Sequence, residues 1–465
     1  MSEAQTVSKP ASHIPFAEHG SYPVREGNRI RPLVDGEPAF RRICEAIETA
    51  EHSVWATIAF YSPDFRMPDG RGDLFDVLDR AAARGLDVRV IFWRNNDGSG
   101  FEDSEMFTGH AGHHEMLRGR GSRFLARWDR AQKRYCQHQK SWLIDAGKPG
   151  ETAFVGGINL NPNSVVSPGH ADGERSTHDV YVEVTGPSAT DVHHNFVQRW
   201  NEASDRAAER GSWPAHDAAH ALEFPTAVSA RAGDAVVQIQ RTVRAGHYTD
   251  GTATPGGQTF PIAKGEQSVF EQYLKAIDAA TRTIYFEDQA IGSPEIVEKL
   301  DAACARGVEV VFLVPANANE EMVKARALPQ SKPFFDRLAS LGRHDNFTLA
   351  GIAATNERGV LRNIYVHAKI AMIDDVWATI GSCNIGARSF FGDTELNASF
   401  FDPATVKALR VALLLEHLGS DTSQLDDRAA LSEYRRIARA NTVRRTAGQH
   451  MTALAFALDP ATYPS

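Results

Sequence analysis

The chain contains few cysteines, and they are widely spaced. Only four occur among 465 residues, and no two of them form a C-x-x-C pair. Disulfide-stapled secreted domains and cysteine-based zinc sites both depend on clustered cysteines. Neither a disulfide framework nor a cysteine zinc site is therefore expected here.

Long apolar runs are also missing. No stretch approaches the roughly 20 apolar residues that a helix needs to cross a bilayer, and runs such as residues 310–314 have the length of a buried strand. The first residues have neither the basic segment nor the apolar segment of a signal peptide. We expect a soluble, cytoplasmic protein with no transmembrane segment, which meets a membrane only at its surface.

Positive charge is not in excess. The chain has 50 Lys and Arg against 59 Asp and Glu, a formal net charge of −9. Proteins that coat nucleic acid rely on clustered basic side chains, so we expect no nucleic-acid partner. Hydrophobic residues make up 42% of the chain, enough for a sizeable core.

What the chain does have is a long-range internal repeat. The segment EAIETA at residues 45–50 is matched by KAIDAA at residues 275–280. In both places an apolar run follows, and then a helical pattern that ends in Ala-Arg-Gly, at Gly85 and at Gly307. Glycine after such a pattern is typical of a helix C-terminus, and the next apolar residues are typical of a buried strand. Each half thus predicts an α/β fold, a mixed and mostly parallel sheet flanked by helices.

A boundary between the halves is predicted in the middle of the chain. Residues 201–235 are rich in Ala, Gly, Pro and charge and have weak periodicity, so we interpret them as a surface helix plus a connection. The boundary falls near residues 225–235. We divide the chain into residues 1–228 and residues 229–465.

One motif occurs once in each half. The pattern H-x-K-x-x-x-x-D is formed by His138, Lys140 and Asp145, and 229 residues later by His367, Lys369 and Asp374. Both copies lead into apolar, strand-like segments, in which positions two apart face the same side. The His and Lys of each copy are therefore predicted to point together. The Asp has the opposite parity, so it is predicted to be a structural partner.

Each motif is followed by an asparagine and then by a carboxylate. Asn159 follows Gly-Gly-Ile, and Asn384 follows Gly-Ser382-Cys, so that Gly157 stands where the second half has Ser382. Asp179 and Glu395 occupy matching places farther along the two halves.

This set of residues suits displacement at a phosphodiester through a phosphohistidine. The lysines and asparagines bind the non-bridging oxygens and stabilise developing charge. One neutral imidazole attacks phosphorus while the other, protonated, donates to the leaving alcohol. Asp179 and Glu395 would hold the imidazoles in one tautomer. Two lysines supply the positive charge, so neither a metal ion nor another cofactor is predicted.

Two further histidine clusters are candidates for metal sites. They are His110, His113 and His114 with Glu115, and the pair His193–His194. Neither has carboxylate or histidine partners at the fixed spacing of a metal site, so no metal is predicted there.

With these motifs the chain resembles the phospholipase D superfamily, from about Gly36 to the tail. The segment from Tyr365 to Asp375 and the stretch Ile-Tyr-Phe-Glu-Asp-Gln at residues 284–289 are similar to the phosphatidylcholine-type branch shared with eukaryotes. The resemblance implies a bilobal α/β monomer whose two motifs meet at a pseudo-twofold interface. It also implies that His138 is the nucleophile and His367 the acid/base.

The expected activity is that of a phospholipase D. The enzyme would cleave the distal phosphodiester bond of a glycerophospholipid to give phosphatidic acid and a headgroup alcohol, and would also transfer the phosphatidyl group to alcohols. Three alternatives stay open: a phosphatidyltransferase like a phosphatidylserine or cardiolipin synthase, a metal-independent nuclease, and a catalytically inactive phospholipid-binding scaffold. The lack of membrane spans weakens the cardiolipin synthase alternative, the net charge disfavours the nuclease, and two intact motifs disfavour the scaffold. The partner is expected to be phospholipid at a membrane or micelle surface.

Overall fold

A computed structural model describes residues 14–96, 106–171, 176–215, 220–356 and 359–464. The first half contains, in chain order, β1 (Arg25–Val34), α1 (Gly36–Thr49), β2 (Ser53–Ile58), α2 (Leu74–Ala83), β3 (Asp87–Arg94), α3 (Ala111–Arg120), β4 (Leu125–Arg130), β5 (Ser141–Ile144), β6 (Thr152–Gly156), β7 (Thr177–His178), β8 (Val180–Thr185), α4 (Ala189–Glu202) and β9 (Ser212–Trp213).

The second half begins with β10 (Ala235–Val243), β11 (Glu266–Gln267), α5 (Ser268–Ala279), β12 (Thr283–Glu287), α6 (Pro294–Ala305), β13 (Glu309–Leu313), α7 (Glu320–Arg326), α8 (Lys332–Ser340) and β14 (Phe347–Thr355). It continues with β15 (Leu361–Asn363), β16 (Tyr365–Val366), β17 (Ile370–Ile373), β18 (Trp377–Gly381), α9 (Ala387–Phe391), β19 (Glu395–Phe401), α10 (Pro403–Leu418), α11 (Asp427–Thr446) and β20 (Ala455–Ala457).

The two halves have the same sheet topology. The first sheet has the order β9-β4-β3-β2-β5-β6-β8-β1. The second has the order β20-β14-β13-β12-β17-β18-β19-β10. Strand β1 also pairs with β10, so the two sheets are continuous. The predicted α/β fold of two similar halves is confirmed.

Parallel pairing is confined to the middle of each sheet. It joins β2, β3 and β4 in the first half and β12, β13 and β14 in the second, where helices cross between consecutive strands. The other pairings within the two sheets are antiparallel. The sheets are mixed, as expected, but antiparallel pairings outnumber the parallel ones that were predicted to dominate.

The helix ends predicted from the Ala-Arg-Gly repeat are present. Gly85 and Gly307 follow α2 and α6 with φ of +87° each, a conformation that side chains with a Cβ rarely adopt. The preceding arginines repeat as well. Arg84 donates to the carbonyls of Ile47 and Ala50 at the end of α1, and Arg306 donates to those of Ile277 and Ala280 at the end of α5.

The hydrophobic core has a layer inside each half and a third layer between the halves. The layer between them contains Val182 of β8, Ile239 of β10 and Val311 of β13, together with side chains of α4, α10 and α11. Burial of this shared layer holds the two sheets face to face. That packing positions the two motifs.

The connection between the halves differs from the prediction. Helix α4 ends at Glu202, and the described residues from 203 to 234 form turns and the short strand β9 instead of a surface helix. Pro214 and Pro225, together with Gly211 and Gly233, explain why no helix continues there. The division at residues 228 and 229 stays a prediction. None of the described helices is both long and apolar enough to cross a membrane.

Candidate active site

The two motifs meet where the halves face each other. His138 and Lys140 lie just before β5, and His367 and Lys369 lie just before β17. Each motif borders a strand of the other half: Gln137 pairs with Thr394, and Val366 of β16 pairs with His178 of β7. The backbone N–H of His138 donates to Thr394 O at 3.0 Å, and that of His367 donates to His178 O at 2.8 Å. These reciprocal contacts follow a pseudo-twofold relation.

The carboxylates that hold the imidazoles come from the opposite halves. Nδ1 of His138 lies 3.0 and 2.9 Å from the two carboxylate oxygens of Glu395. Nδ1 of His367 lies 2.6 Å from Oδ2 of Asp179. An N–H at Nδ1 leaves Nε2 as the nitrogen with a free lone pair. The matching positions of the carboxylates were visible in the sequence, but their exchange between halves was not.

Both imidazoles are shifted toward the neutral form. Burial and the nearby charge of Lys140 hold the pKa of His138 well below its usual value. Burial and the charge of Lys369 lower the pKa of His367 to about 4. A neutral imidazole is the form that can attack phosphorus.

Two buried lysines lie beside the imidazoles. Nζ of Lys140 donates to the carbonyl oxygen of His138 at 2.8 Å, and Nζ of Lys369 donates to that of His367. Burial lowers the pKa of Lys140 to about 8 and also lowers the pKa of Lys369. Burial disfavours the charged form of both lysines, so an anion that enters the site would stabilise their ammonium groups.

The two predicted asparagines each have a buried side-chain oxygen, and Asn159 also lines the cleft beside His367. Oδ1 of Asn159 and Oδ1 of Asn384 are buried and have no hydrogen-bond partner among the described residues. Asn159 and His367 line an open cleft of about 420 Å³, together with Asn161, Asn163, Ser164, Ser176, Thr177, Asn363 and Tyr365. The cleft wall is thus rich in amides and hydroxyls. Sequence analysis did not single out the wall residues, which come from the short strands β7, β15 and β16 and from the connection between β6 and β7.

Ser382 lies behind the first imidazole. Its hydroxyl donates to Oε2 of Glu395 at 2.5 Å and accepts the N–H of Leu396 at 3.1 Å. Burial raises the pKa of Glu395 to about 7. A Cβ on Gly157, the matching residue, would lie 2.5 Å from Oδ1 of Asp179. The first half therefore has no room for the serine that the second half uses.

The aspartates of the motifs bind backbone away from the imidazoles. Asp145 accepts the N–H groups of Glu51, His52 and Ser53 at 2.6 to 3.1 Å. Asp374 accepts the N–H groups of residues 281–283 and the hydroxyl of Thr281 at 2.7 to 2.9 Å. Both carboxylates thus fix the turn between a helix and the strand that follows it, α1–β2 or α5–β12.

Two more acids lie in the site, and sequence reasoning did not assign them. Asp288 accepts the N–H groups of Ala290 and Ile385, and burial raises its pKa to about 7. Asp393 accepts the N–H of Cys136 at 2.8 Å and the Nε–H of Arg388 at 2.9 Å. Asp288 directly follows β12, and Asp393 lies two residues before β19; these places at strand ends were the signal available.

The other histidine clusters do not converge on one point. His193 faces Glu151 at 2.9 Å, whereas its neighbour His194 donates to the carbonyl of Thr252. His110 and His113 stack at 3.5 Å between ring centroids. Within the described residues neither set gathers three metal-binding atoms.

Comparison with known families gives a match across both halves. The family model described as "Cardiolipin synthase, PLD-like domain" matches residues 43–200 and 273–414. A model described as "Phospholipase D" matches residues 163–317.

Curated relatives carry two kinds of name. A cardiolipin synthase of Listeria monocytogenes is 23% identical over 85% of this chain and 70% of its own length. The major cardiolipin synthase of Bacillus subtilis is 23% identical over 83% of this chain and 68% of its own length. Phospholipase D A of Dictyostelium discoideum is 24% identical over 82% of this chain, but only 33% of its own length is covered.

A solved structure has the same fold. The phosphatidylserine synthase of Haemophilus influenzae aligns over 89% of this chain and 94% of its own, with a TM-score of 0.53 and 14% identity.

Proposed function

The chain belongs to the phospholipase D superfamily, and we propose that it is a phosphatidyltransferase, which moves the phosphatidyl group of a glycerophospholipid onto an alcohol through a phosphohistidine. Enzymes of this superfamily act on phosphodiester bonds, and relatives named cardiolipin synthase favour transfer over the hydrolysis expected from the sequence. The observation that carries the proposal is the pair of crossed contacts, His138 with Glu395 and His367 with Asp179.

In the first step His138 is the nucleophile. Its Nε2 lone pair attacks phosphorus, a P–N bond forms, and the bond from phosphorus to the headgroup oxygen breaks. His367 gives its Nε2 proton to that oxygen, and the headgroup alcohol leaves. The carboxylate of Glu395 stabilises the positive charge that develops on the ring of His138.

In the second step His367 acts as a base, whereas it acted as an acid in the first. His367, now neutral, takes the proton of an acceptor alcohol, whose oxygen attacks phosphorus. The P–N bond breaks and frees His138. Water in place of the alcohol gives phosphatidic acid, so hydrolysis is the second candidate activity, favoured by the relative named phospholipase D A.

The charges in the site support this sequence of steps. An anionic diester would favour the charged forms of Lys140 and Lys369, which burial disfavours. The same anion favours protonation of His367, whose pKa is lowered to about 4 without it. The substrate thereby creates the acid that protonates its own leaving group.

The exposed side of the site supports an alcohol acceptor. His367 lines the cleft of about 420 Å³, whose wall consists of amides, hydroxyls and a phenol. Such a wall suits a hydroxylated headgroup better than an acyl chain. An acceptor held there lies next to the imidazole that would deprotonate it.

A product assay tests the proposal. The purified chain would be mixed with one defined phospholipid in micelles, with glycerol at millimolar concentration, and with His138→Ala as control. Phosphatidylglycerol that exceeds phosphatidic acid, although water is in large excess, supports transfer. Phosphatidic acid alone would make the enzyme a hydrolase. Cleavage of single-stranded DNA without lipid turnover would contradict both readings.

A further inference from the structure

We propose that a second, structural site between the two halves binds one divalent transition-metal ion of the zinc class. Its ligands are Asp35 and His170 and His178 of the first half and Glu416 of the second. Each offers one ligand atom, and these atoms all lie within 4.8 Å of one another. The four side chains are between 0% and 4% exposed.

The distances between ligand atoms fit a tetrahedral ion. His170 Nε2 lies 3.5 Å from Asp35 Oδ2 and 3.1 Å from Glu416 Oε1. His178 Nδ1 lies 2.9 Å from Asp35 Oδ1 and 3.9 Å from Glu416 Oε1. Zinc bonds to nitrogen and oxygen of roughly 2.0–2.2 Å put tetrahedral ligands about 3.3–3.5 Å apart. The four separations, which involve one Asp35 oxygen for His170 and the other for His178, run from 2.9 to 3.9 Å and lie on both sides of that value.

Outer contacts fix both imidazoles with the correct nitrogen inward. Nε2 of His178 lies 3.0 Å from Glu287 Oε2, and Nδ1 of His170 contacts the hydroxyl of Ser176. Metal-binding histidines usually hold a carboxylate or another oxygen with their second nitrogen. The nitrogens that remain, Nδ1 of His178 and Nε2 of His170, point to the same place.

The protein does not satisfy this site by itself. Asp35 Oδ2 and His170 Nε2 are buried and form no hydrogen bond of regular geometry among the described residues; the contacts of His170 Nε2 with Asp35 and Glu416 are ion pairs only if the imidazole is protonated. Buried polar atoms are normally paired. No lysine or arginine in the described ranges forms an ion pair with Asp35, Glu287 or Glu416. A divalent cation would offset this buried negative charge.

A neighbouring set is less suitable. His178, Glu287 and His417 also gather three ligand atoms. However, Tyr285 already donates to Glu287 Oε1 at 2.6 Å and contacts His417 Nδ1 at 3.1 Å. That set therefore offers three ligand atoms instead of four, and two of its members, Glu287 and His417, already contact Tyr285.

The proposed ion lies close to the support of the second imidazole. The N–H of Asp35 donates to the carbonyl of Asp179 at 2.8 Å, and His178 directly precedes Asp179. The ion would join the two halves beneath the site without contacting substrate. It is independent of the proposed transfer reaction.

Metal content and unfolding temperature test the inference without an activity assay. We expect about one equivalent of zinc per chain after removal of any affinity tag, and a coloured cobalt-substituted protein with the intense visible bands of tetrahedral Co²⁺. Prolonged chelation should lower the unfolding midpoint by about 2–4 °C or more, and added zinc should restore it.

Two ligand variants and one control sharpen the test. His170→Gln and Glu416→Gln should each lose the metal. If both variants fail to fold, the metal content, cobalt spectrum and unfolding midpoint of the wild-type protein test the inference. His193→Gln changes a buried histidine that faces a carboxylate elsewhere, and it should keep the metal. Wild-type protein that purifies and reconstitutes without stoichiometric metal, shows no cobalt bands and is indifferent to chelation would overturn the proposal.

Discussion

His138 and His367 hold equivalent places in the two halves, yet they lie in different surroundings. The ring of His138 packs against that of Phe60, with 5.7 Å between the ring centroids. Its carboxylate partner Glu395 accepts a hydrogen bond from the hydroxyl of Ser382. His367 lines the polar cleft, and its partner Asp179 faces a glycine instead of a serine. Environment, more than residue identity, assigns different roles to like groups. The enclosed imidazole suits a nucleophile that must stay neutral, and the one at the cleft suits an acid/base that meets alcohols.

Removal of each imidazole gives the largest effect and separates the two roles. His138→Ala and His367→Ala should each lower turnover of phospholipid by roughly 10³-fold or more. A nitrophenyl phosphodiester, whose leaving group needs no proton, should still phosphorylate His367→Ala but not His138→Ala. Intact-protein mass spectrometry reads the adduct. If the adduct instead forms on His138→Ala and not on His367→Ala, then His367 is the nucleophile and His138 is the acid/base.

The crossed carboxylates come next. Asp179→Asn and Glu395→Gln should lower kcat by about 10²–10³-fold, because an amide can present its NH₂ to Nδ1 and favour the wrong tautomer. Steady-state kinetics on protein with unchanged circular dichroism measures the loss. A folded Glu395→Gln with wild-type kcat would remove the role assigned to the contact between halves.

The pH profile compares the charged groups around His138. Burial raises the pKa of Glu395 to about 7, so its carboxylate is lost as the pH falls below that value. Burial lowers the pKa of Lys140 to about 8, so its ammonium is lost as the pH rises above that value. We expect kcat/KM to be greatest between about pH 7 and 8 and to fall up to tenfold per unit outside that range. A profile that still rises at pH 9.5 would contradict the role of Lys140.

Ser382→Ala should make the surroundings of Glu395 more like those of Asp179. Loss of one hydrogen bond to a carboxylate predicts about a tenfold fall in kcat/KM. Gly157→Ala is the matched change in the other half. It should lower kcat/KM more than Ser382→Ala does, because the added Cβ would clash with Asp179. The reverse order of the two effects in parallel assays would refute this account of the asymmetry.

The smallest effect on activity is expected at the motif aspartates. Asp145→Asn and Asp374→Asn should lower the free energy of unfolding by about 1–3 kcal/mol with kcat nearly unchanged, since both carboxylates accept hydrogen bonds from helix-to-strand turns. Asp374 also accepts a hydrogen bond from the hydroxyl of Thr281. Asp374→Asn should therefore lower the free energy of unfolding more than Asp145→Asn does. Denaturant melts and kinetics at a permissive temperature decide. A stable but inactive variant would show that these aspartates serve the chemistry.

The sequence was informative where structure depends on local pattern. Gly85 and Gly307 marked helix ends, and the repeat indicated two halves of one topology. The pairing of His138 with Glu395 was not predictable, because it depends on how two complete sheets dock. The same holds for the cleft wall, where Asn161 and Asn363 come from opposite halves. The alanine-rich composition of residues 203–234 predicts a surface helix, whereas the described residues of this range form none, because prolines and glycines stop a helix.

The exchange of carboxylates has a consequence during synthesis. Glu395 is made 257 residues after His138, which takes tens of seconds at about 5–20 residues per second on a ribosome. Throughout that interval the imidazole of His138 lacks the partner that would set its tautomer. Under the proposed transfer mechanism an unfinished chain therefore cannot attack a phospholipid, and activity begins only when translation has supplied both halves.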